Sequence, residues 1–224
     1  MIADFHVHSK YSYDSILSPR SILKVAKRHG LNCIAVTDHN TIKGGIVTQK
    51  LNIDKDFLVI VGIEVQTEIG DIIGLNLTEE IKSKNSIDAI EEIRSQGGYV
   101  ILPHPSRGHK LNEYVITNSD AIEVFNGRST VNQNNEALDL AKKYNKPFAA
   151  GSDAHFASEI GIGRFNINFR YNRQGILFPS NEKSILGEHS PWYLINLSQI
   201  IKSVKTKNFT VIPKQIFDTL YQTL

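Results

Sequence analysis

Short apolar runs alternate with amphipathic helical patterns through most of the chain. The apolar runs predict β-strands at positions 2–7, 33–36, 58–63, 72–77, 99–102, 121–125 and 148–151. Capping residues and helical spacing predict helices that begin after Ser18, at Ser86 and at Asn132. Strands of this length that alternate with helices are typical of a mainly parallel sheet or barrel, because crossover helices cover both faces of such strands.

The alternation ends near residue 170, and a different kind of segment follows. Residues 171–192 contain Asn, Gly, Pro and Ser without a clear period, and two helical patterns come next, at 197–204 and after Pro213. The sequence therefore predicts an α/β barrel over residues 1–170 and a C-terminal extension over residues 171–224 that packs on it. We expect Trp192 and Tyr193 to anchor this extension through hydrophobic contacts.

Composition and charge favour a folded enzyme or binding domain. The 224 residues are 41% hydrophobic and 21% charged, as in globular domains and unlike disordered chains. A net charge of +2 is too small to indicate a large nucleic-acid surface or a membrane surface. The longest apolar run, 57–65, is far shorter than the roughly 20 residues of a membrane helix. Because Cys33 is the single cysteine and no signal-peptide pattern is present, we expect a cytoplasmic protein; its oligomeric state stays open.

Histidines collect where predicted strands end, at the rim on which βα-barrels carry their sites. Five of the eight are in such positions: His6, His8, His39, His104 and His155. Residues two apart in an extended segment point the same way, so the His6–His8 pair and the Asp153–His155 pair each present two ligand groups on one face. One histidine beside a strand is more often a packing residue than a ligand, and this interpretation suits His29, His109 and His189. The combined set instead predicts a metal site, with Zn, Mn or Fe favoured by imidazole and carboxylate ligands.

Several short runs at these strand ends resemble the ordered motifs of one known family. They are Asp4-Phe5-His6-Val7-His8-Ser9, Thr37-Asp38-His39-Asn40, Gly62-Ile63-Glu64-Val65, Leu102-Pro103-His104-Pro105, Ile122-Glu123-Val124-Phe125-Asn126-Gly127 and Gly151-Ser152-Asp153-Ala154-His155. In this order they resemble the PHP domain, named for polymerases and histidinol phosphatase, over about residues 1–170. The resemblance implies a distorted (β/α)7 TIM-like barrel, a trinuclear metal centre and phosphoesterase activity.

The resemblance also implies which residues hold two to three divalent ions. One ion would be bound by His6, His8, Glu64 and Asp153, a second by Glu64 and His104, and a third by Asp14, His39 and His155. Glu64 would bridge the first two ions. Many relatives have a further histidine a few residues after this glutamate, and here Asp71 is offered instead. An aspartate would make the second position more oxygen-rich.

These residues lead to a hypothesis of metal-dependent hydrolysis of a phosphate ester by metal-activated water. Glu64, Asp153 and His155 are the candidate catalytic residues, with His155 or another rim histidine assisting the leaving group. Four further side chains are candidate phosphate contacts: Arg107, Arg128, Ser9 and Lys10.

The leaving group is not specified by the sequence. A nucleotide, a nucleoside bisphosphate or a short oligonucleotide is the preferred substrate class, and a histidinol-phosphate or sugar-phosphate phosphatase is the alternative within the same chemistry. Two other classes stay open. An amidohydrolase also begins with His-x-His but commonly has a lysine where this chain has Glu64. A metal-stabilised binding or regulatory module without catalysis is disfavoured because no ligand motif is degraded.

Overall fold

The computed structural model describes residues 1–166, 178–179 and 181–211. Its strands are β1 (Ile2–Val7), β2 (Cys33–Val36), β3 (Leu58–Thr67), β4 (Gly70–Leu75), β5 (Tyr99–Leu102), β6 (Ala121–Asn126), β7 (Phe148–Gly151), β8 (Gly163–Asn166) and β9 (Ile185–Gly187). Its α-helices are α1 (Pro19–Arg28), α2 (Lys43–Leu51), α3 (Ser86–Ser95), α4 (Glu113–Asn118), α5 (Val131–Lys143) and α6 (Trp192–Thr206). Within the described ranges no helix is long and apolar enough to span a membrane.

The strands form one sheet that is nearly closed into a barrel, in the order β7-β6-β5-β4-β3-β2-β1-β8-β9. Parallel pairing joins β1 to β2 and β2 to β3, and also β5 to β6 and β6 to β7. The barrel closes through a parallel bridge between Val7, at the end of β1, and Ala154, just after β7, where the His8 amide donates to the Ala154 carbonyl at 2.9 Å. The α/β, TIM-like barrel predicted from the sequence is confirmed.

One of the strands predicted from the sequence departs from the parallel pattern expected for it. β4 runs antiparallel to both β3 and β5, and only Glu68 and Ile69 separate it from β3. A parallel return would need a crossover of a dozen or more residues, so a connection this short can only make a hairpin. Gly70 suits this turn because its φ of 128° lies where side chains are rarely tolerated.

The apolar side chains of the sheet are buried in three clusters. One cluster is built from strand residues such as Phe5, Ile101 and Phe165, and the others lie where α1, α3 and α5 cover the sheet. Helix α1 begins as predicted, with Ser18 accepting from the Ser21 amide and Pro19 in the first turn. This packing fixes the carboxyl ends of the strands and so the positions of the rim residues.

The C-terminal helix differs from the expectation in length and in its contacts. α6 covers Trp192–Thr206 rather than residues 197–204, and the second pattern, after Pro213, lies outside the described residues. Trp192 and Tyr193 are 73% and 56% exposed, so the prediction that they anchor the extension is wrong. Ser198 and Ser203 are buried instead, because this helix approaches the barrel with small polar side chains. The boundary near residue 170 stays a prediction.

Candidate metal centre

Strand ends bring the predicted ligand residues to one rim of the barrel. His6 and His8 lie at the end of β1, His39 follows β2, His104 follows β5, and Asp153 and His155 follow β7. Glu64 lies inside β3 and bridges to His39 across the sheet. His104 and Asp153 have positive φ values of 27° and 54°, and backbone strain of this kind in non-glycine residues clusters at functional sites.

Four side chains converge on the first predicted ion position. The Nε2 atoms of His6 and His8 are 3.1 Å apart, and each is 3.3 Å from Oε2 of Glu64. Oδ1 of Asp153 is 3.3 Å from His8 Nε2 and 3.7 Å from His6 Nε2. All four side chains are buried. Two imidazole nitrogens and two carboxylate oxygens therefore surround one small volume.

A second group gathers around Asp14, which the β1–α1 loop carries to the rim. Its Oδ2 lies 3.1 Å from Nε2 of His39 and 3.1 Å from Nε2 of His155. Ser12 donates to the other oxygen of Asp14 at 2.7 Å and so fixes the carboxylate. Asp14, His39 and His155, assigned together from the family resemblance, do lie together, and His8 is near enough to share the group.

A third group lies on the far side of Glu64. Its Oε1 is 2.9 Å from His104 Nε2, and Asp71 and His109 lie next to His104. His109 is a residue that sequence reasoning assigned to packing, since it falls outside every motif. Its ring contacts that of His104 edge-on at 5.2 Å, and the Asp71 amide donates to its Nε2 at 3.3 Å. The resemblance implies a histidine ligand where this chain has Asp71. The segment after β5 places a different histidine, His109, next to Asp71.

The donor set fits metal ions better than it fits a network of hydrogen bonds. His6 Nδ1 donates to Glu123 at 3.0 Å and His155 Nδ1 donates to the Asp153 carbonyl at 2.8 Å, because both partners accept. When an ion replaces the second proton, the Nε2 lone pair of each ring would face the centre, as in metal-binding histidines whose other nitrogen is held. Ligand atoms about 2.0–2.2 Å from one ion lie roughly 3.0–3.5 Å from each other, which is the spacing found here. Buried polar atoms of the centre have no hydrogen-bond partner in the described residues: Glu64 Oε2, Asp71 Oδ1, His8 Nδ1, His39 Nδ1 and His104 Nδ1.

Charge coupling within the centre shifts several pKa values strongly. Burial alone would raise the pKa of Glu64, yet His39 and His6 hold it well below its ordinary value. Burial would lower the pKa of His39, but Glu64 and Asp14 raise it to about 9. Burial and the neighbouring His155 lower the pKa of His8 to about 3. Glu64, and likewise Asp14 and Asp153, whose pKa values are also held well below the ordinary value by neighbouring histidines, are therefore ionised at neutral pH and ready to bind cations.

The four predicted phosphate contacts lie in very different surroundings. Arg107 lines the cavity above the centre, but its Nη1 donates to Asp153 Oδ2 at 2.7 Å and to Asn126 Oδ1 at 3.2 Å. Arg128 also reaches the cavity, and its guanidinium is held by Glu159 and Ser198. Ser9 is buried and donates to Asp38, while Lys10 is exposed beside Tyr11. Neither Ser9 nor Lys10 lines the cavity.

The cavity above the centre is small and polar, with a volume of about 120 Å³. Several of its lining residues were missed by sequence reasoning: Tyr13, Gln66, Gln199 and Lys202. Tyr13 stacks on His39, with ring centroids 4.4 Å apart and planes almost parallel. Tyr13 could have been suspected from the sequence because it is next to Asp14. Gln199 and Lys202 could not, because they come from helix α6, which is distant along the chain.

Comparisons with known proteins agree with this architecture. A family model described as PHP-associated matches residues 131–177. An uncharacterized protein of Methanocaldococcus jannaschii, MJ1587, is 42% identical over 143 residues, covering 56% of this chain and 82% of its own length. A two-domain protein of Bacteroides vulgatus, which contains a predicted PHP-like metal-dependent phosphoesterase, has a similar fold with a TM-score of 0.61 and 22% identity over 69% of this chain.

A second similar structure is a complex of endonuclease Q with a 27-mer duplex that has an abasic lesion at the active site. The TM-score is 0.54 and the identity 16% over 75% of this chain. This chain spans about half the length of both solved structures, 52% of the Bacteroides protein and 54% of the endonuclease. At these identities the two structures support the fold alone.

Proposed function

We propose that the chain is a member of the PHP family and a metal-dependent phosphoesterase that hydrolyses a phosphate ester at the rim of the barrel. One observation carries this proposal: eight of the predicted ligand side chains converge there in overlapping groups around Glu64 and Asp14, namely His6, His8, Asp14, His39, Glu64, His104, Asp153 and His155. Divalent ions held by these groups would polarise phosphoryl oxygens and lower the pKa of a bound water. Two to three ions of Zn, Mn or Fe suit the number and type of the ligand atoms.

The protein's own residues hold this centre in a reactive geometry. Glu64 contributes oxygens to two neighbouring groups, which supports a bridging role. Glu123 is buried, accepts from His6 and from the His104 amide, and therefore orients two histidines at once. His155 keeps its Nδ1 proton on the Asp153 carbonyl and turns its Nε2 towards Asp14. We therefore assign His155 to ion binding rather than to proton transfer to the leaving group.

Substrate binding follows from the size and charge of the cavity. A volume of about 120 Å³ is well below the ~300–1,000 Å³ that encloses a drug-sized ligand. It suits a phosphoryl group, while the rest of the substrate would remain outside the cavity. Arg107 lies beside Asp153, where its remaining guanidinium nitrogens can donate to phosphoryl oxygens. Small phosphorylated molecules, including mononucleotides, nucleoside bisphosphates and sugar phosphates, meet this requirement, and the end of a short oligonucleotide also does.

A metal-supplemented screen tests the proposal. Purified protein stripped with a chelator and reloaded with Mn or Zn should hydrolyse phosphorylated metabolites, and the chelated protein should not. An amide or lactam panel in parallel separates this activity from that of an amidohydrolase. Protein that retains two or more ions and hydrolyses none of the phosphate esters would instead favour a binding or regulatory module.

A further inference from the structure

Helix α6 contributes two side chains to the cavity above the metal centre. Gln199 and Lys202 both line it, and residues three apart on a helix share a face. Neither residue belongs to the barrel or to any motif of the strand ends. The C-terminal extension therefore supplies part of the surface that a substrate would meet.

The helix is fixed over the site by polar contacts at its middle and near its end. Ser198, in the middle of the helix, accepts from Arg128 Nη1 at 2.8 Å. Lys205, near the end, uses all three of its N–H donors on backbone carbonyls of the β1–α1 loop, those of Lys10, Ser12 and Ser15, at 2.6–2.9 Å. The same loop carries Asp14. Lys202 and the ligand groups are therefore held in one rigid arrangement.

Lys202 differs from the other cations of the cavity in its charge balance. Arg107 is paired with Asp153 and Arg128 with Glu159. Within the part of the chain that the structure describes, no carboxylate forms an ion pair with Lys202. Its ammonium lies 4.6 Å from the centre of the Tyr13 ring, which in turn stacks on His39. Lys202 thus brings to the cavity a positive charge that no described carboxylate pairs with, next to the tyrosine that stacks on His39.

From this arrangement we propose that Lys202, assisted by Gln199, binds an anionic oxygen of a terminal phosphate and selects phosphomonoesters over internal phosphodiesters. The inference rests on the proposed phosphoesterase function and names its substrate class. A terminal phosphate carries up to two negative charges, whereas a diester carries one. The terminal phosphate therefore has one more charged oxygen for the protein to neutralise. Arg107, from the segment after β5, and Lys202, from α6, line the same cavity and can together contact two non-reacting oxygens.

The test compares Lys202→Met with Lys202→Arg in metal-loaded protein. Lys24→Met, at an exposed position of α1, is the matched control for removal of one lysine charge. Calorimetric titration with inorganic phosphate measures the anion site without turnover, and kcat and KM are measured with p-nitrophenyl phosphate and with bis-p-nitrophenyl phosphate. Elemental analysis and the melting temperature show whether ions and fold are retained.

We expect Lys202→Met to weaken phosphate binding about tenfold, as for loss of one charged hydrogen bond, and to raise KM for the monoester by a similar factor. In Lys202→Met, KM for the diester should change by less than about twofold. In Lys202→Arg, phosphate binding and KM for the monoester should change by less than about threefold, because Arg keeps the charge. Equal losses on both esters, or unchanged phosphate binding, would overturn the inference even if wild-type turnover supports the proposed function. If the wild-type protein hydrolyses neither ester but binds phosphate in a way that depends on Lys202, the proposed function is contradicted and the anion site is supported.

Discussion

Replacement of Glu64 by glutamine tests the centre at its most connected residue. The side chain is 1% exposed, its Oε1 is 2.9 Å from His104, and its Oε2 is within 3.2–3.3 Å of His6, His8 and His39. Glutamine has nearly the same shape but only one acceptor oxygen, and its other terminal atom is an NH₂ donor. Both groups around Glu64 therefore lose an anionic oxygen, and whichever way the amide turns, one of them faces an NH₂ donor instead of an acceptor.

The expected loss can be worked from these contacts. An interaction with a charged partner contributes about 1.5–3 kcal/mol in a buried site. Two such interactions are removed, one on each oxygen, so the loss of transition-state stabilisation should be about 3–6 kcal/mol, or roughly a hundredfold to ten-thousandfold in kcat/KM. The fold should survive, because the barrel core is built from apolar strand residues and not from the centre.

The assay is kcat/KM for a phosphate ester in Mn-loaded protein, with ion content measured on the same sample. Glu91→Gln, on the exposed face of α3, makes the same chemical change away from the site and should leave both quantities unaltered. Retention of more than about a tenth of the wild-type rate in Glu64→Gln corresponds to a loss below about 1.4 kcal/mol and would refute the bridging role. A large loss of rate accompanied by a collapse of the melting temperature would instead indicate a structural role.

Three further predictions concern pH, Arg107 and helix α6. Glu64 and Asp14 raise the pKa of His39 from 6.5 to about 9 despite its burial, so its contribution to stability is complete below pH 6.5 and is lost as pH rises through 9. Urea unfolding of chelated protein should therefore show a falling free energy from pH 6.5 to 9, and a rise would contradict the coupling. Arg107→Ala should lower kcat/KM about tenfold or more for phosphate esters, and more for bisphosphates than for monophosphates, since it removes a charged contact; equal losses on both would return Arg107 to a purely structural role beside Asp153. Lys205→Met should lower activity and ion content because it releases the loop that carries Asp14, whereas the control Lys207→Met should change neither. Elemental analysis of the two variants measures the ion content, and equal ion content in both would contradict this role of Lys205.

The rim residues could be predicted because their arrangement depends on local rules. Alternation along an extended segment places His6 with His8 and Asp153 with His155, and strand ends of a barrel meet at one rim whatever the details of packing. Neither of these two inferences depends on knowing which distant residues contact the histidines. The residues that orient the ligands are harder to predict. Glu123 orients His6 from a strand 117 positions away along the chain, and nothing near either residue indicates the pair.

Helix α2 and the direction of strand β4 escaped prediction for physical reasons. α2 begins with Lys43-Gly44-Gly45, and glycine is a poor helix former, so its pattern is weak. Gly44 is required there because a Cβ would overlap the Asp38 carboxylate that holds Ser9. The antiparallel direction of β4 follows from the length of one turn, which the apolar pattern alone does not reveal.

Helix α6 shows why the division into barrel and extension is a poor guide to function. Its anchors are separated from it by about 70 to 195 positions: Ser198 contacts Arg128, and Lys205 contacts the carbonyls of residues 10–15. Lys205 positions the loop that carries Asp14. Lys202 adds to the cavity a positive charge that forms no ion pair with a carboxylate of the described residues. Removal of the helix would therefore disturb one group of ligands and one side of the anion site together. The extension is then part of the catalytic unit, and substrate preference within this architecture can change through α6 without any change at the strand ends.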